Sequence, residues 1–354
     1  MKGLVPAGGL GSRLRPLSHT MPKQLVPVAG TPVVVHALHR LREAGVTETA
    51  LVVGEFAPQL QEALGDGSAL GMRLTYLRQG RPRGIADCVM LARDFLADDD
   101  FVLYLGDNVL PGGIADYAAE FRATRPAAQV VVHKVPDPRA YGVAELDPDG
   151  KVTRIVEKPP EPRSDLAVIG VYFCTAALHE AVAAIRPSAR GELEITDALQ
   201  WLVSRGDEVR ARVHAGYWKD TGTVDDLLDC NRELLNQLTP AVCGEVDGAS
   251  ELIGPVRIAE GARIVRSRIH GPVTIGAGTS VLDSRIGPHT AIGRQCSVVA
   301  SGIGSSILLD GSHITGVPDL HGSVIGRHAR VDRRREPRGR RLVLGDHTTA
   351  EVTG

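Results

Sequence analysis

The sequence predicts an α/β fold, a mostly parallel Rossmann-like sheet flanked by helices, followed by a C-terminal parallel β-helix. Short β-branched runs alternate with amphipathic stretches as far as Asn236. A glycine-rich turn, "GGLGS", follows the first apolar run. Beyond Thr239-Pro240, apolar residues recur every 17 positions in three registers at once.

"ALVVG" at 50, "FVLYLGDN" at 101, "QVVVHKV" at 129 and "VIGVYF" at 168 read as strands, because they are short, β-branched and bounded by turn residues. The segments 34–44 and 114–122 carry apolar residues at helical spacing. Strands alternating with helices argue for a parallel sheet whose ligand sits at the carboxyl ends of the strands. In the second regime Ile258, Ile275 and Ile292 align, as do Ile264, Val281 and Val298, and Ile269, Ile286 and Ile303. Three apolar corners per 17 residues, separated by Gly, Ser, Asp and Pro, suit a triangular coil that buries its corners only by stacking on the next. Ile325 and Val331 suggest a further coil after an irregular stretch, and the basic run 333–341 reads as a solvated loop. The expected domains are 1–239 and 240–354.

Composition narrows the partners. With 40 basic and 42 acidic residues the formal net charge is -2, which gives no reason to expect a nucleic acid or an anionic membrane. The five cysteines are scattered, without a C-x-x-C pair, which fits reduced thiols in the cytoplasm better than a disulfide framework or a zinc site. No apolar run approaches the roughly 18 residues of a membrane span. The expected partners are small molecules.

The loop Gly8-Gly9-Leu10-Gly11-Ser12-Arg13 leaves the backbone bare enough for its N–H groups to approach an anion closely. A dinucleotide fingerprint would need glycine where Leu14 stands, and no Gly-Lys-Ser/Thr completes a P-loop. What remains is a spaced pair, Gly-Gly-x-Gly-Ser-Arg-Leu-x-Pro and Pro22-Lys23-Gln24-Leu25-x-Pro27. In these motifs the chain resembles the sugar-1-phosphate nucleotidyltransferases. With "EITDALQWLV", "GYWKDTGTVDDLL", the β-helix and the ending "RLVLGDHTTAEV", the resemblance extends over nearly the whole chain and is strongest to long-form glucose-1-phosphate thymidylyltransferases of deoxysugar biosynthesis.

The resemblance implies transfer from dTTP to glucose-1-phosphate, giving dTDP-glucose and pyrophosphate, with a left-handed β-helix serving homo-oligomerisation. Such a displacement needs two polyanions held in line and their charge offset, which asks for cations and a metal. Arg13 can fork onto the triphosphate and Lys23 offers a compact charge near the leaving group. Asp107 in "YLGDN" and Asp220 in "YWKDTGT" match the family's Gly-Asp and Asp-Thr-Gly motifs, which implies that they hold Mg²⁺ between nucleotide and sugar phosphate.

By the same resemblance, Gly8, Gly9, Gly11 and Ser12 cradle the nucleotide with Arg13 and Asp107, Gln24 meets the deoxyribose, and Gln79 and Gly84 face the base. Tyr141, Gly142, Glu157, Lys158, Val168 and Arg190 are implied for the sugar phosphate. An amide both donates and accepts, so Gln79 suits thymine or uracil and leaves other bases open. Another nucleotide or another phosphorylated acceptor, a hexose or a cyclitol phosphate, is an alternative. Acyl transfer in the β-helix, using one of His289, His313, His321 and His328, and a non-catalytic regulatory role are further ones. Pro6 stands where the family has a bulky aliphatic. Asp87 adds an acid near the base loop, where it would disfavour a phosphate or favour a different base if it faced the pocket.

Overall fold

Unlike a simple alternation of strands and helices, the first region carries three successive strands with no helix between them, and that shapes its sheet. The structure is a computed structural model and describes residues 1–333. The basic run after Arg333 and the ending "RLVLGDHTTAEV" lie outside the described residues. The chain forms two compact units, one of residues 1–10, 21–25 and 33–220, the other of 11–20, 26–32 and the chain from Thr221.

The first unit holds a nine-stranded sheet. Its strands are β1 (Lys2–Pro6), β2 (Glu48–Val53), β3 (Arg73–Arg78), β4 (Phe101–Tyr104), β5 (Ala128–Lys134), β6 (Gly142–Leu146), β7 (Val152–Glu157), β8 (Leu166–Cys174) and β9 (Val209–Val213). The block β3-β2-β1-β4 is parallel, as is the pair β5-β9. Between them β8 runs antiparallel to both β4 and β5. The reason is local: β6, β7 and β8 follow one another without a crossover helix, and strands joined that way pair antiparallel. Asp147 closes the β6–β7 hairpin, its Oδ1 accepting from the backbone of Asp149 and Lys151.

The helices are α1 (Val33–Glu43), α2 (Ala57–Leu64), α3 (Ile85–Leu91), α4 (Arg93–Leu96), α5 (Ala115–Thr124), α6 (Ala177–Ala184), α7 (Ile195–Arg205) and, in the second unit, α8 (Val224–Asn236). On one face of the sheet Leu4, Val52, Phe101, Leu103 and Val130 are buried against Val89 of α3, Leu178 of α6 and Leu199 of α7. On the other, Phe121 of α5 meets Phe173 of β8 at 5.8 Å between ring centres. Coverage of both faces is why the inner strands read as continuous apolar runs. Pro6 ends β1 without breaking the ladder, since the Ala7 N–H donates to Val52 (2.8 Å) and the Pro6 carbonyl accepts from Gly106 (3.1 Å).

In the second unit the three faces of the coil carry six, six and five parallel strands. Ile258, Ile275 and Ile292 stack in register, as do the other two sets, and Ile325 and Val331 join the expected further coil. Their side chains form the buried core of the β-helix. A buried serine ladder satisfies one corner: Ser267 Oγ accepts from Ser284 N, Ser284 Oγ from Ser301 N, and Ser301 Oγ from Val317 N, at 3.0 to 3.1 Å. Leaving such a buried N–H unpaired would cost about 1–3 kcal/mol.

Helix α8 starts at a capping box of Thr223 and Asp226. Its buried Asn231 accepts from Ala29 N (2.9 Å) and donates to the His289 carbonyl (2.8 Å), which ties it to the β-helix. Packing thus groups α8 with the β-helix, in the unit that takes the chain from Thr221. The His289 ring is engaged with Asn236 Oδ1 at 2.9 Å. Among the described residues no helix is long and apolar enough to cross a membrane.

Candidate active site

Two cavities open at the carboxyl ends of the parallel block, both within the first unit. The first, about 240 Å³, is lined by Gly8, Gly9, Lys23, Gln24, Gln79 and Gly84, among others. Gly8 and Gly9 leave β1, Gln79 leaves β3, and Lys23 and Gln24 lie in a single 3₁₀ turn, Lys23–Leu25. A Cβ on Gly9 would stand 3.2 Å from Lys23 Cε and 3.8 Å from Gln24 Nε2, so the loop lies close against both. Gln24 is buried, and its Oε1 has no hydrogen-bond partner among the described residues. Gly84 has φ +100°, and a Cβ there would meet the Leu193 carbonyl at 2.3 Å, so only glycine fits the turn into α3. Asp87, expected as a lone acid near the base loop, does not line the cavity; its Oδ2 accepts from Gln79 Nε2 at 2.8 Å.

The second cavity, about 190 Å³, is lined by Tyr141, Gly142, Glu157, Lys158, Val168 and Arg190, the six residues implied for the sugar phosphate, together with Trp218 and others. Strand β8 bulges between Val168 and Tyr172, where its register against β5 shifts, which turns this stretch of backbone toward the cavity. Glu157 ends β7, accepts from Thr196 Oγ1 (3.1 Å), and lies 3.6 Å from Lys158 Nζ. Burial pushes the Glu157 carboxyl up, and the Lys158 charge offsets this only in part. Arg190, implied as a further phosphate contact, is engaged within the chain. Its guanidinium faces carboxylates, with Nη2 at 2.8 and 2.9 Å from the two Glu194 oxygens, 3.3 Å from Glu192 and 3.4 Å from Glu157.

Asp107, just past β4, lines both cavities and so sits in their common wall. Burial raises its pKa, but Lys23, which is ion-paired with it, and Asn108, which donates at 2.9 Å, reverse this, and the carboxyl ends below its ordinary value. Asp220 is brought to the same place by a short antiparallel pairing, Asp220 opposite Asn108 and Lys219 opposite Val109. No cluster of three or more His, Cys, Asp or Glu side chains placed to hold a metal occurs among the described residues. Two hard carboxylates beside open cavity space fit a divalent cation completed by substrate phosphates, not a closed protein site.

Trp218, unassigned by the sequence reading, forms an aromatic wall with Tyr141, ring centres 5.4 Å apart, and donates Nε1–H to Asn108 Oδ1 at 2.6 Å. It stands two residues before Asp220, the spacing that puts side chains on one side of a strand, and that was its legible signal. Gly11, Ser12 and Arg13 fall in the second unit. There Gly11 (φ +61°) caps the turn Ser12–Leu14, and the Arg13 guanidinium comes within 2.7 Å of where a Gly222 Cβ would be. The bare third position of Asp220-Thr221-Gly222 therefore leaves room for this arginine.

The family model described as nucleotidyl transferase matches residues 2–237. The chain is 50% identical over 354 residues to a glucose-1-phosphate thymidylyltransferase of Streptomyces griseus, covering 100% of both. It is also 50% identical to one of Streptomyces antibioticus, covering 99% of each. A solved structure from Bacillus anthracis in complex with sucrose superposes with a TM-score of 0.63 at 36% identity, over 68% of this chain and 97% of that one. With the glycine turn, the paired aspartates and the twin cavities, these matches place the chain in the nucleotidyl transferase family.

Proposed function

We propose that this chain transfers a thymidylyl group from dTTP to glucose-1-phosphate, releasing pyrophosphate and forming dTDP-glucose. The observation that carries the reading is Asp107 in the wall common to a glycine-lined cavity and one lined by Glu157 and Lys158. That arrangement suits two phosphorylated substrates that must meet. Full-length similarity to the two Streptomyces enzymes supports the choice of substrates.

In the reaction a phosphate oxygen of glucose-1-phosphate bonds to the α-phosphorus as the bond from that phosphorus to the β-phosphate bridging oxygen breaks, and pyrophosphate leaves. The chain's work is positioning and charge compensation. Gly8, Gly9, Gly11 and Ser12 offer backbone N–H groups to the triphosphate, with Arg13 and Lys23 as its cations. At roughly 4 Å and an effective dielectric of 20, one such contact has a Coulomb term of about 4 kcal/mol before desolvation. Lys23 is already held beside Gly9 by its pairing with Asp107. Gln24 meets the deoxyribose, while Gln79 and Gly84 meet the base. Glu157 accepts from sugar hydroxyls, Tyr141, Gly142 and Val168 present backbone to the hexose, and Lys158 binds its phosphate. Arg190 acts here as a clamp that partly balances Glu157, Glu192 and Glu194. Asp107 and Asp220 would hold Mg²⁺, which supplies charge neutralisation on phosphate oxygens. The enzyme works in the cytoplasm as a homo-oligomer, with the β-helix as the repetitive docking surface.

The test is pyrophosphate release with Mg²⁺, glucose-1-phosphate and each of dTTP, UTP, ATP, GTP and CTP separately. Fastest release with dTTP is expected. Clear preference for another triphosphate, or release only with a different sugar or cyclitol phosphate, would overturn the assignment.

A further inference from the structure

We propose that Asp87 selects the nucleobase by fixing the amide of Gln79 so that its carbonyl oxygen, not its nitrogen, is offered to the edge of the base. The inference rests on the function proposed above and deepens it, since an unconstrained amide could serve either a donor or an acceptor edge.

Asp87 is 7% exposed and does not line the nucleotide-side cavity, so it stands behind Gln79 and not beside the ligand. Gln79 Nε2 donates to Asp87 Oδ2 at 2.8 Å. The other Asp87 oxygen lies 3.9 Å from Arg83 Nε. An ionised carboxylate only accepts, so the amide nitrogen must be the group that faces it. Gln79 Oε1 is the amide atom left for other partners, 3.5 Å from where a Gly8 Cβ would be, and both Gly8 and Gln79 line the cavity. Reversing the amide would set two acceptors against each other in a partly buried place, at the cost of an unmade hydrogen bond.

An acceptor in that position pairs with an N–H. Thymine and uracil offer N3–H, whereas cytosine presents a lone pair at N3 and would be repelled. Asp87 is thus a positioning residue: it touches no substrate and acts by denying Gln79 its alternative orientation. Discrimination of this kind, by an acceptor–acceptor clash, is stronger than one built on shape alone.

dUTP and dCTP differ only at N3 and the neighbouring 4-substituent of this edge, so the change in the ratio of their kcat/KM values between variants reads the effect. The wild-type enzyme is expected to favour dUTP by at least about a hundredfold. In Asp87→Asn, whose amide can donate as well as accept, the ratio should fall at least about tenfold, mainly through gain of dCTP activity, with the KM for glucose-1-phosphate unmoved. In a Gln79→Leu background the same substitution should leave the ratio unchanged, because the route through Gln79 is gone. An unmoved ratio in Asp87→Asn, or an equal fall in the Gln79→Leu background, overturns the proposal. A measurement needing no variant is the triphosphate of N3-methylthymidine with the wild-type enzyme: rejection supports the acceptor at Gln79, and turnover like that of dTTP overturns it. A wild-type enzyme that prefers dCTP to dTTP contradicts both this orientation and the proposed function. Preference for dTTP with an unmoved ratio in Asp87→Asn removes the orientation alone.

Discussion

The nucleotide-side cavity combines three glycines, apolar side chains, the amides of Gln24 and Gln79 and the ammonium of Lys23, with Asp107 and Glu192 at the wall it shares with the sugar-side cavity, whereas that second cavity crowds Glu157, Glu192 and Glu194 around Arg190 with Lys158 close by. The two ligands differ in the same sense. A triphosphate is all acceptors, so N–H groups and a few cations suffice, and a carboxylate beside it is useful only where a cation stands between, as Lys23 does at Asp107. A hexose is a ring of hydroxyls that must donate as well as accept, so carboxylates are useful there, provided their charge is balanced before a phosphate arrives. Arg190, with Lys158, supplies part of that balance. Asp107 stands where the two chemistries meet, and it is the position at which the comparison is easiest to break.

Asp107→Asn and Asp220→Asn should have the largest effect. Each is expected to lower kcat by at least about a hundredfold, because a carboxylate that would hold the divalent cation between both substrates' phosphates is lost. Steady-state kinetics with both substrates saturating reads this directly. Near-normal turnover in either variant would remove that aspartate from the site and leave the cavities without a common chemical element.

Next come the two lysines, which should separate the cavities. Lys23→Ala is expected to raise the KM for dTTP about tenfold to a hundredfold while moving the KM for glucose-1-phosphate little, and Lys158→Ala should do the reverse, since each removes one charge-assisted contact. Initial-rate matrices that vary both substrates give all four values. If both variants weakened the same substrate, the division between nucleotide and sugar cavities would be wrong.

How much of this could be read before the structure depends on whether the signal is local in the chain. The 17-residue corners from Ile258 to Ile303 are strictly periodic and were legible. The coil that precedes them was not, because its pairs Val242 with Ile258, Val246 with Ile264 and Leu252 with Ile269 are spaced unevenly. The parallel block was legible from alternating strands and helices. The antiparallel insertion of β8 was less so, although Asp147-Pro148-Asp149-Gly150 is a hairpin signal that "AYGVAEL" and "IVEKP" flank. Cavity residues carried by short motifs came to the expected cavities, from Gly8 and Gly9 to Lys158. The states of Arg190 and Asp87 were not legible, because each depends on a neighbour brought up by loop geometry. Glu194 reaches Arg190 outside any helix, and the Gly84 turn swings Asp87 back onto Gln79.

The smallest effect is a pH dependence confined to one cavity. Burial, with Glu194 nearby, holds the Glu157 pKa above its ordinary value of 4.5, against the opposing pull of Lys158, Thr196 and Arg190, whereas the Asp107 pKa is held below ordinary. As pH falls from neutrality, Glu157 is therefore protonated before an ordinary glutamate would be, and a protonated carboxyl accepts less well from sugar hydroxyls. The KM for glucose-1-phosphate should rise a few-fold from about pH 7.5 to about pH 5, while the KM for dTTP should change only with the titration of its own γ-phosphate, equally in wild type and in Glu157→Gln. The phosphate of glucose-1-phosphate titrates in the same range, so the informative quantity is the difference from Glu157→Gln. That variant keeps an acceptor oxygen but cannot titrate; it should start with a higher KM and show only the ligand's own slope. Identical pH profiles for the two enzymes would mean that Glu157 stays ionised throughout or does not touch the sugar, and the contrast between the two cavities would then reflect packing more than recognition.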